Sequence, residues 1–366
     1  MENDLKTIKP SEIEITLAEL YEREKKANVV KASLFTLIIF TEEGEREKYL
    51  FELSKSLIKK FPCRIIFVKE SLTEGDFLHT KVFALKPEGS AEGFFCEFIH
   101  FEVSKSYKER ISSLILPHVI ADLPIYLLFA KDPSLGDTPT SLGIDKLPMR
   151  IIFDSECMSE IGILASYIKS IHDDHIDVGD LNWARFSPFR DLITKVYSNK
   201  EKLKTLVGCK EISVSYNSHE TASFHHNKIQ AIYFQGWLAT KMHWEFETIV
   251  CEEKTLIISY RSKYGVHKVM VKPCDKQNTL RPGGIVSVVV KNDEEVTSLI
   301  REESAAHIIK ICHSTKDKCE IPVLYPVSKE GTGSSITREI YSKGTSEDFL
   351  TVITLISTWK TGFICS

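Results

Sequence analysis

The sequence contains no apolar stretch long enough to cross a membrane. Its longest apolar runs are residues 32–40, which Ser33 and Thr36 interrupt, and residues 125–130, both of about strand length. A membrane-spanning helix needs about 20 apolar residues. The first residues, Met1-Glu2-Asn3-Asp4, lack the basic and then apolar pattern of a secretory signal. We therefore expect a soluble, cytoplasmic protein that does not associate with membranes.

The sequence also lacks the short motifs that accompany common catalytic sites. It has no glycine-rich dinucleotide or P-loop fingerprint, no G-x-S-x-G nucleophile elbow and no H-E-x-x-H or C-x-x-C metal motif. The glycines at 283–284 and 331–333 are typical of turns, and the paired histidines at 172/175 and 225/226 lack further ligands at metal-binding spacing. A Cys–His pair assembled in space stays open. We otherwise expect no enzyme activity, no cofactor and no metal site.

Charge and cysteine content point away from two further classes of protein. The chain has 47 basic and 51 acidic side chains, a formal net charge of −4, which gives no indication of nucleic-acid binding. Its nine cysteines are odd in number and scattered along a long chain. This favours reduced thiols over the disulfide framework of a small secreted protein.

A chain of 366 residues exceeds what one hydrophobic core usually organises, so two domains are expected. Residues 1–180 hold 22 basic against 31 acidic side chains, a balance of −9, whereas residues 181–366 hold 25 against 20, a balance of +5. The change follows a polar, acidic stretch that ends at residue 180. We place the boundary there, which gives an N-terminal domain of residues 1–178 and a C-terminal domain of residues 179–366.

Hydrophobic periodicity predicts a different fold class for each domain. In the first half, helical patterns alternate with short β-branched and aromatic runs, which predicts an α/β layered domain with a largely parallel sheet. The helical patterns lie at residues 11–26, 43–60 and 159–171, and the buried strands at 29–40, 63–68, 125–129 and 151–154. The second half begins with helical patterns at 180–197 and 221–245. Strand and turn signals then follow from 246 to about 327, which predicts an α+β domain with an antiparallel sheet.

The most informative segment is the twelve residues from Asp180 to Asp191, which contain two arginines, one tryptophan and two phenylalanines. Tryptophan and arginine are the side chains that most often anchor protein interfaces. One interpretation is structural: the tryptophan joins the two domains and the arginines pair with the acidic stretch. The other is a partner interface, formed by Asp180, Trp183, Arg185, Pro188, Arg190 and, further along the chain, Trp237.

Pro188 affects the directions in which the two arginine side chains of this segment point. A continuous helix would place Arg185 and Arg190 on clearly different sides, since five residues correspond to about 500° of rotation. Proline removes a helical hydrogen bond and clashes with the preceding turn, so we expect a break between them. Our working assumption is that one arginine faces inward and the other outward.

This segment resembles a motif of the glucose-6-phosphate dehydrogenase assembly protein family, OpcA. The family pattern D-L-x-W-x-R-x-x-P-W-R is matched by six residues, and Phe189 replaces the second tryptophan; the six are Asp180, Leu181, Trp183, Arg185, Pro188 and Arg190. Further segments resemble family segments in the same order along the chain: residues 27–34, 61–66, 122–127, 150–155 and 236–239 with Trp244.

The resemblance implies a non-catalytic regulator whose partner is glucose-6-phosphate dehydrogenase, the entry enzyme of the oxidative pentose phosphate pathway. Such a regulator would shift the dehydrogenase toward its active conformation or oligomer. In photosynthetic members of the family the effect is tied to thiol redox state. Cys63 is the candidate redox residue here, because a neighbouring arginine, Arg64, could favour its thiolate.

The alternative is an α/β sugar-phosphate-binding protein or enzyme. In that case Arg64, Arg150, Arg185 or Arg190 would clamp the phosphate. Several arginines that converge in one concave pocket would favour this alternative.

Overall fold

The computed structural model describes residues 7–87, 93–221, 227–276, 280–328, 331 and 333–359. The chain forms two compact units, each built from three segments. The N-terminal unit comprises Met1–Cys157, Ile171–Leu181 and Thr332–Gly344, and the C-terminal unit comprises Met158–Ser170, Asn182–Gly331 and Thr345–Ser366. The division at residues 178 and 179 stays a prediction.

Among the described residues, twelve α-helices and β-strands precede the boundary segment, besides short 3-10 helices. In chain order they are α1 Ile13–Lys26, β1 Val30–Lys31, β2 Thr36–Glu42, α2 Glu45–Ile58, β3 Arg64–Glu70, β4 Leu78–Leu85, β5 Phe94–Val103, α3 Ile111–Ile115, β6 Ile125–Ala130, β7 Arg150–Phe153, α4 Ile161–Asp173 and β8 Asp177–Asp180.

The remaining elements begin at the boundary segment. They are α5 Leu181–Arg185, α6 Ser187–Val196, α7 Lys200–Val207, β9 Glu211–Asn217, α8 Ile229–Lys241, β10 Glu245–Glu252, β11 Thr255–Ser262, β12 Gly265–Cys274, β13 Ile285–Lys291, β14 Glu295–Glu302, β15 Ala305–Thr315, β16 Val323–Pro326, α9 Ser334–Tyr341 and α10 Glu347–Ser357.

The N-terminal unit is an α/β layered domain with a largely parallel sheet, as predicted. Its strand order is β1-β5-β3-β2-β6-β7-β8, every pair in this order is parallel, and β4 adds to β5 in antiparallel fashion. The central strands are buried on both faces, and the residues 37–40 of β2 have no exposed surface. This is why they appear in the sequence as continuous rather than alternating apolar runs.

The order of the parallel strands determines where a ligand would bind. Six of them, β5-β3-β2-β6-β7-β8, follow the doubly wound order 3-2-1-4-5-6. The winding direction reverses at β2, so the carboxyl ends of β2 and β6 flank the switch point.

The C-terminal unit is an α+β domain whose sheet is mostly antiparallel. The strand order is β10-β11-β12-β9-β13-β14-β15-β16. The sheet is thus mostly antiparallel, as predicted, and the one parallel pair among these strands joins β9 to β12. One face packs on helices: the Tyr260 hydroxyl on β11 donates a 2.6 Å hydrogen bond to Gln235 on α8, and both residues are buried.

Two predicted helices have different bounds. The helix expected over 221–245 is α8, which ends at Lys241, and His243 follows with a positive φ of 54° that a helix cannot continue through. The helix expected over 180–197 is divided into α5 and α6, with the break at Phe186 just before Pro188. The break that Pro188 predicts is therefore present.

Gly179 gives a test of the packing around β8. A Cβ atom added there would collide with the carboxylate of Glu339 and lie 2.7 Å from the guanidinium of Arg150, two buried side chains that are ion-paired 2.6 Å apart. We expect Gly179→Ala to lower the free energy of unfolding by about 1–3 kcal/mol, because this site cannot accept extra volume. Thermal and urea unfolding monitored by circular dichroism measures the effect.

Gly162 is the matched control for this substitution. It lies in α4, and the nearest atom to an added Cβ is 3.8 Å away, an ordinary contact. Alanine favours the helix over glycine, so Gly162→Ala should leave stability unchanged or raise it by up to about 1 kcal/mol. Equal stability of Gly179→Ala and the wild type would contradict this packing argument.

Candidate functional site

The carboxyl ends of the parallel strands are the first candidate site. Doubly wound sheets bind ligands in the crevice outside these ends, at the switch point. In the N-terminal unit, charged residues occupy this edge: Glu42 ends β2, Glu70 ends β3 and Lys131 directly follows β6. Their arrangement decides whether the crevice can accept a ligand.

Lys131 lies at the centre of a partly buried group of ion pairs, which we call the carboxyl-edge cluster: Glu42, Glu70, Lys108, Lys131 and Asp137. The Lys131 ammonium group lies 3.0 Å from Glu42 and also contacts the carboxylates of Glu70 and Asp137. Lys108 lies 3.0 Å from the second Glu70 oxygen and 2.5 Å from Asp137. Lys131 is 3% exposed and Glu70 is 0% exposed, so solvent screens these contacts little.

The cluster shifts the pKa values of Lys131 and Asp137 so that both favour the charged form. Burial by itself lowers the pKa of Lys131, but the hydrogen bonds that its ammonium group donates to Asp137 and Glu70 outweigh burial and raise that pKa above its ordinary value. Burial raises the pKa of Asp137, and the hydrogen bonds from Lys108 and Lys131 outweigh this and lower it. Two cations thus face three carboxylates, and the protein's own charges fill the switch point.

A second buried ion group lies at the start of α2. The Arg46 Nε donates a 2.8 Å hydrogen bond to Asp154, which follows β7, and its Nη2 lies 2.9 Å from Glu156. The guanidinium also lies 4.5 Å from the ring centroid of Tyr49. Burial lowers the pKa of Arg46, but the charges of Asp154, Cys157 and Glu156 outweigh it and raise that pKa. Carboxylates of the protein therefore hold the cation that α2 brings to this edge.

The turn between β2 and α2 differs from a phosphate-binding loop. It reads Glu42-Glu43-Gly44-Glu45, with three carboxylates beside the N-terminus of α2. Glu43 accepts hydrogen bonds from the Ser71 hydroxyl (2.7 Å) and the Leu72 backbone N–H (3.1 Å), which lower its pKa. A dinucleotide pyrophosphate binds at this position through the backbone N–H groups of a glycine-rich turn. Carboxylates there repel an anion, so these residues do not fit a dinucleotide.

Sequence reasoning missed this edge, although the sequence contains a signal for it. Charged residues end or follow three buried apolar runs, at Glu42, Glu70 and Lys131. The carboxyl ends of neighbouring parallel strands meet at one edge, so such charges come together in the fold. A search for glycine-rich fingerprints alone does not detect them.

Two of the arginines considered as phosphate clamps lie at the opposite edge of the same sheet. Arg64 and Arg150 are the first residues of β3 and β7, and both are buried. Arg64 Nε donates a 2.8 Å hydrogen bond to Glu97, and Arg150 Nη2 lies 2.6 Å from Glu339. Their charges hold β5 and α9 in place, at the edge away from the switch point.

In the C-terminal unit, the boundary segment forms an aromatic cluster around Trp183. The guanidinium carbon of Arg190 lies 4.0 Å from the Trp183 ring centroid and 4.5 Å from that of Phe186. Trp183 is 6% exposed and also packs against Phe349, with ring centroids 5.3 Å apart. Arg190 is half-buried. It is thus the member of the Trp183–Arg185–Arg190 set that a partner can reach most readily.

Arg185 is held differently from Arg190. It is the last residue of α5 and is 3% exposed, and its Nη1 donates a 2.9 Å hydrogen bond to Asn182. Pro188 lies in the first turn of α6, where its missing N–H breaks no helical hydrogen bond. The two arginines therefore differ in exposure on either side of the helix break.

The last two predicted interface residues are also buried. Asp180 in the N-terminal unit accepts a 2.9 Å hydrogen bond from the Ser155 hydroxyl. Trp237 on α8 donates a 3.3 Å hydrogen bond from its indole N–H to Asp348. A partner interface that includes these residues stays a prediction.

Cys63 lies immediately before β3 and is fully buried. Burial raises the pKa of its thiol well above the ordinary value, and the neighbouring Cys96 raises it further. Arg64 pairs with Glu97, so the expectation that it favours a Cys63 thiolate is wrong. A redox role for Cys63 stays a prediction. Of the described cysteines, seven are free and Cys251 is disulfide-bonded, which corrects the expectation of reduced thiols at that residue.

The C-terminal unit contains a cavity of about 300 Å³. Its lining is mostly apolar and contains two lysines, Lys195 and Lys202, but no arginine; it also includes Leu192, Tyr197, Thr297, Ile311, His313 and Tyr325. The Thr297 hydroxyl and the His313 Nδ1 lie 2.9 Å apart in its wall. The cavity therefore does not offer the arginine clamp that a sugar-phosphate site would use.

No three of the described His, Cys, Asp or Glu side chains cluster so that they could hold a metal ion, and none of the helices described is long and apolar enough to cross a membrane. His225 and His226 lie outside the described residues.

The carboxyl-edge cluster predicts a pH-dependent stability. Replacing Lys131 by methionine removes a positive charge that compensates the buried carboxylate of Glu70. We therefore expect the free energy of unfolding to fall by about 3 kcal/mol near neutral pH. The raised pKa of Lys131 stabilises the folded state at pH values below the ordinary lysine pKa, which is near 10. The lowered pKa of Asp137 stabilises the folded state at pH values above the ordinary aspartate pKa, which is near 4. The cost should therefore be greatest between these limits and shrink below about pH 4. Urea unfolding at several pH values measures it.

Two controls accompany this measurement. Glu70→Gln combined with Lys131→Met removes both charges and should recover part of the loss. Lys48→Met removes an exposed lysine paired with Glu45 and should leave the unfolding midpoint nearly unchanged. A pH-independent loss, equal at pH 3 and pH 7, would contradict the ion-pair account.

Two family models match this chain in order. Residues 54–166 match the model described as the glucose-6-phosphate dehydrogenase subunit N-terminal domain, and residues 176–330 match that of the subunit's C-terminal domain. The first match covers most of the parallel sheet, and the second covers the boundary segment and every strand of the C-terminal sheet.

Curated relatives show the same family. The chain is 25% identical over 207 residues to the OxPP cycle protein OpcA of Synechococcus elongatus. The aligned residues cover 55% of this chain and 44% of the relative. The OpcA protein of Nostoc punctiforme is 25% identical over 189 residues, covering 50% of this chain and 38% of the relative. The chain thus spans less than half the length of these curated relatives.

The fold has a counterpart among solved structures. A protein named as an oxidoreductase from Parabacteroides merdae superposes with a TM-score of 0.53 at 7% identity, covering 90% of this chain and 97% of that chain. At this identity the likeness concerns the fold alone. The family assignment rests instead on the two matched domain models and the curated relatives, and by these the chain belongs to the OpcA family of glucose-6-phosphate dehydrogenase assembly proteins.

Proposed function

We propose that this protein binds glucose-6-phosphate dehydrogenase and promotes its assembly or activity in the cytoplasm, without catalysing a reaction itself. The observation that carries the proposal is the match of residues 54–166 and 176–330 to two domains named for that dehydrogenase. The filled switch point agrees with a non-catalytic role, because the edge where a doubly wound sheet would bind a ligand holds paired charges of the protein.

The proposed mechanism is a shift in the dehydrogenase's conformational equilibrium. A regulator changes such an equilibrium only by as much as its affinities for the two states differ. A tenfold increase in the active population requires a preference of about 1.4 kcal/mol, a small part of the free energy of a typical protein interface. The regulator therefore needs a specific surface and no reactive group.

We expect the purified protein to raise the activity of the dehydrogenase from the same organism and to show no glucose 6-phosphate oxidation alone. A titration of the dehydrogenase with this protein, followed by NADPH absorbance and by light scattering after size exclusion, measures activity and assembly together. Bovine serum albumin at equal concentration is the control for non-specific stabilisation. If neither activity nor the oligomer distribution changes at saturating protein, the proposed function is wrong.

The two arginines of the boundary segment should respond differently to substitution. Arg185 is buried and hydrogen-bonded to Asn182, so Arg185→Gln should lower the melting temperature. Arg190 is half-buried over Trp183, so Arg190→Gln should lose a cation–π contact of about 0.5–2 kcal/mol and, where the boundary segment takes part in the partner interface, should weaken the effect on the dehydrogenase. Both variants are compared at a temperature where each is fully folded.

Arg190→Lys separates charge from stacking at the same position. It keeps the positive charge but loses the planar group that covers the Trp183 ring. If all three variants activate the dehydrogenase like the wild type once folding is equal, the segment has a structural role only, and the partner binds another surface.

A further inference from the structure

The C-terminal sheet has one face buried by helices and an opposite face that the described residues leave open. On the buried face, α6 and α8 contact side chains such as Arg301, which lies 5.1 Å from the Phe189 ring centroid, and Tyr260. Side chains at alternate positions of the same strands point the other way. Val250, Ile300 and Leu324 on that other face are 44%, 40% and 58% exposed. We call it the open face.

An uncharged row crosses the centre of the open face. The pairing register places one residue from each of seven consecutive strands side by side: Val250, Ile257, Met270, Ser213, Val289, Ser298 and Cys312. Four of the seven are apolar, and none carries a charge. An antiparallel face that only meets water usually carries polar residues at these positions. The composition of this row instead resembles the centre of a protein interface, from which charges are depleted.

Lysines flank the uncharged row on both sides. The two neighbouring rows are Thr248, Ser259, Lys268, Glu211, Lys291, Val296 and Ser314 on one side, and Glu252, Thr255, Lys272, Ser215, Ser287, Ile300, Lys310 and Leu324 on the other. They contain four lysines and two glutamates, an excess of two positive charges in a chain whose net charge is −4. Glu211 pairs with Lys291 at 3.0 Å, and the other three lysines form no ion pair with described residues.

The open face has the size of a protein interface. Strands are spaced by about 4.8 Å and rows by about 7 Å, so three rows over seven strands cover on the order of 600–700 Å². A standard interface buries about 800 Å² on each partner. A small metabolite would cover only a fraction of such a flat surface.

We infer that the open face docks the dehydrogenase, through a surface of that partner with an uncharged centre and an acidic rim. This inference rests on the proposed function and adds the surface to it. The excess of positive charge selects an acidic rim, because like charges that face each other across an interface cost several kcal/mol. The same argument disfavours a second copy of this chain, since two open faces would bring both lysine excesses together.

A charge reversal on either side of the row tests the inference. Lys268→Glu combined with Lys310→Glu places negative charges on both flanking rows, and both side chains point away from the buried core. Binding to the dehydrogenase, measured by biolayer interferometry, should weaken about tenfold or more. Wild-type binding should also weaken as ionic strength rises, because exposed charges are screened.

The control carries the same change in net charge. Lys200→Glu combined with Lys204→Glu alters two exposed lysines of α7, which packs on the helix-covered side of the sheet, and its binding should match the wild type within about twofold. If the wild type binds and both double variants bind equally well, the open face is not the docking surface. If the wild type does not bind at all, the proposed function itself fails.

Two measurements on the wild-type chain complete the test. Cys312 lies in the uncharged row and is half-buried. The dehydrogenase should slow alkylation of Cys312 by N-ethylmaleimide, as read by mass spectrometry, and an unchanged rate would overturn the inference. A dimer in light scattering that the Lys268/Lys310 reversal dissociates would also overturn it, because a second copy would then occupy the face.

Discussion

The pairing of Lys131 with Glu70 is the contact on which the carboxyl edge of the parallel sheet depends. Each charge alone would be strongly destabilising at its depth, since an uncompensated buried ion costs several kcal/mol. Together with Glu42 and Asp137 the two charges tie the ends of β2, β3 and β6 to one point. A ligand could enter the switch point only by separating these pairs. The sheet therefore keeps the strand order of a ligand-binding domain while its crevice serves stability.

The same physical rule organises the opposite edge of that sheet. Arg150 begins β7 and pairs with Glu339 on α9, almost 190 residues later in the chain. Separating the two buried charges would be strongly destabilising, so the pair fixes where α9 packs. This explains why residues so near the C-terminal end belong to the N-terminal unit. Hydrophobic burial alone would specify the position of α9 less well, because the hydrophobic effect is not directional.

Local sequence patterns predicted the helices and strands that are long and periodic. They failed where contacts between residues far apart in the sequence determine the structure. The fold class of each unit follows from alternating helices and apolar runs, and Pro188 marks the helix break. Strand β8 was missed because Asp177 and Asp180 give its four residues a polar appearance. The parallel contact of β9 with β12 is set by topology, which no local window contains. At Cys63, the adjacent Arg64 suggested a thiolate, but its direction is set by Glu97 on a neighbouring strand.

The two faces of the C-terminal sheet differ in what the stability of the unit requires of their side chains. The face toward α8 must be apolar and well packed, because its burial stabilises the unit, and its residues are accordingly almost fully buried. This requirement is weaker on the open face, since Ile257, at 8% exposure, is the one buried member of its uncharged row. The stability of the unit therefore does not by itself account for a row of seven uncharged residues between lysines. A regulator without a reactive group acts only through the free energy of binding, and that free energy must come from a surface of this kind. Strand alternation thus gives the sheet one face that stabilises the unit and a second face that is free for recognition.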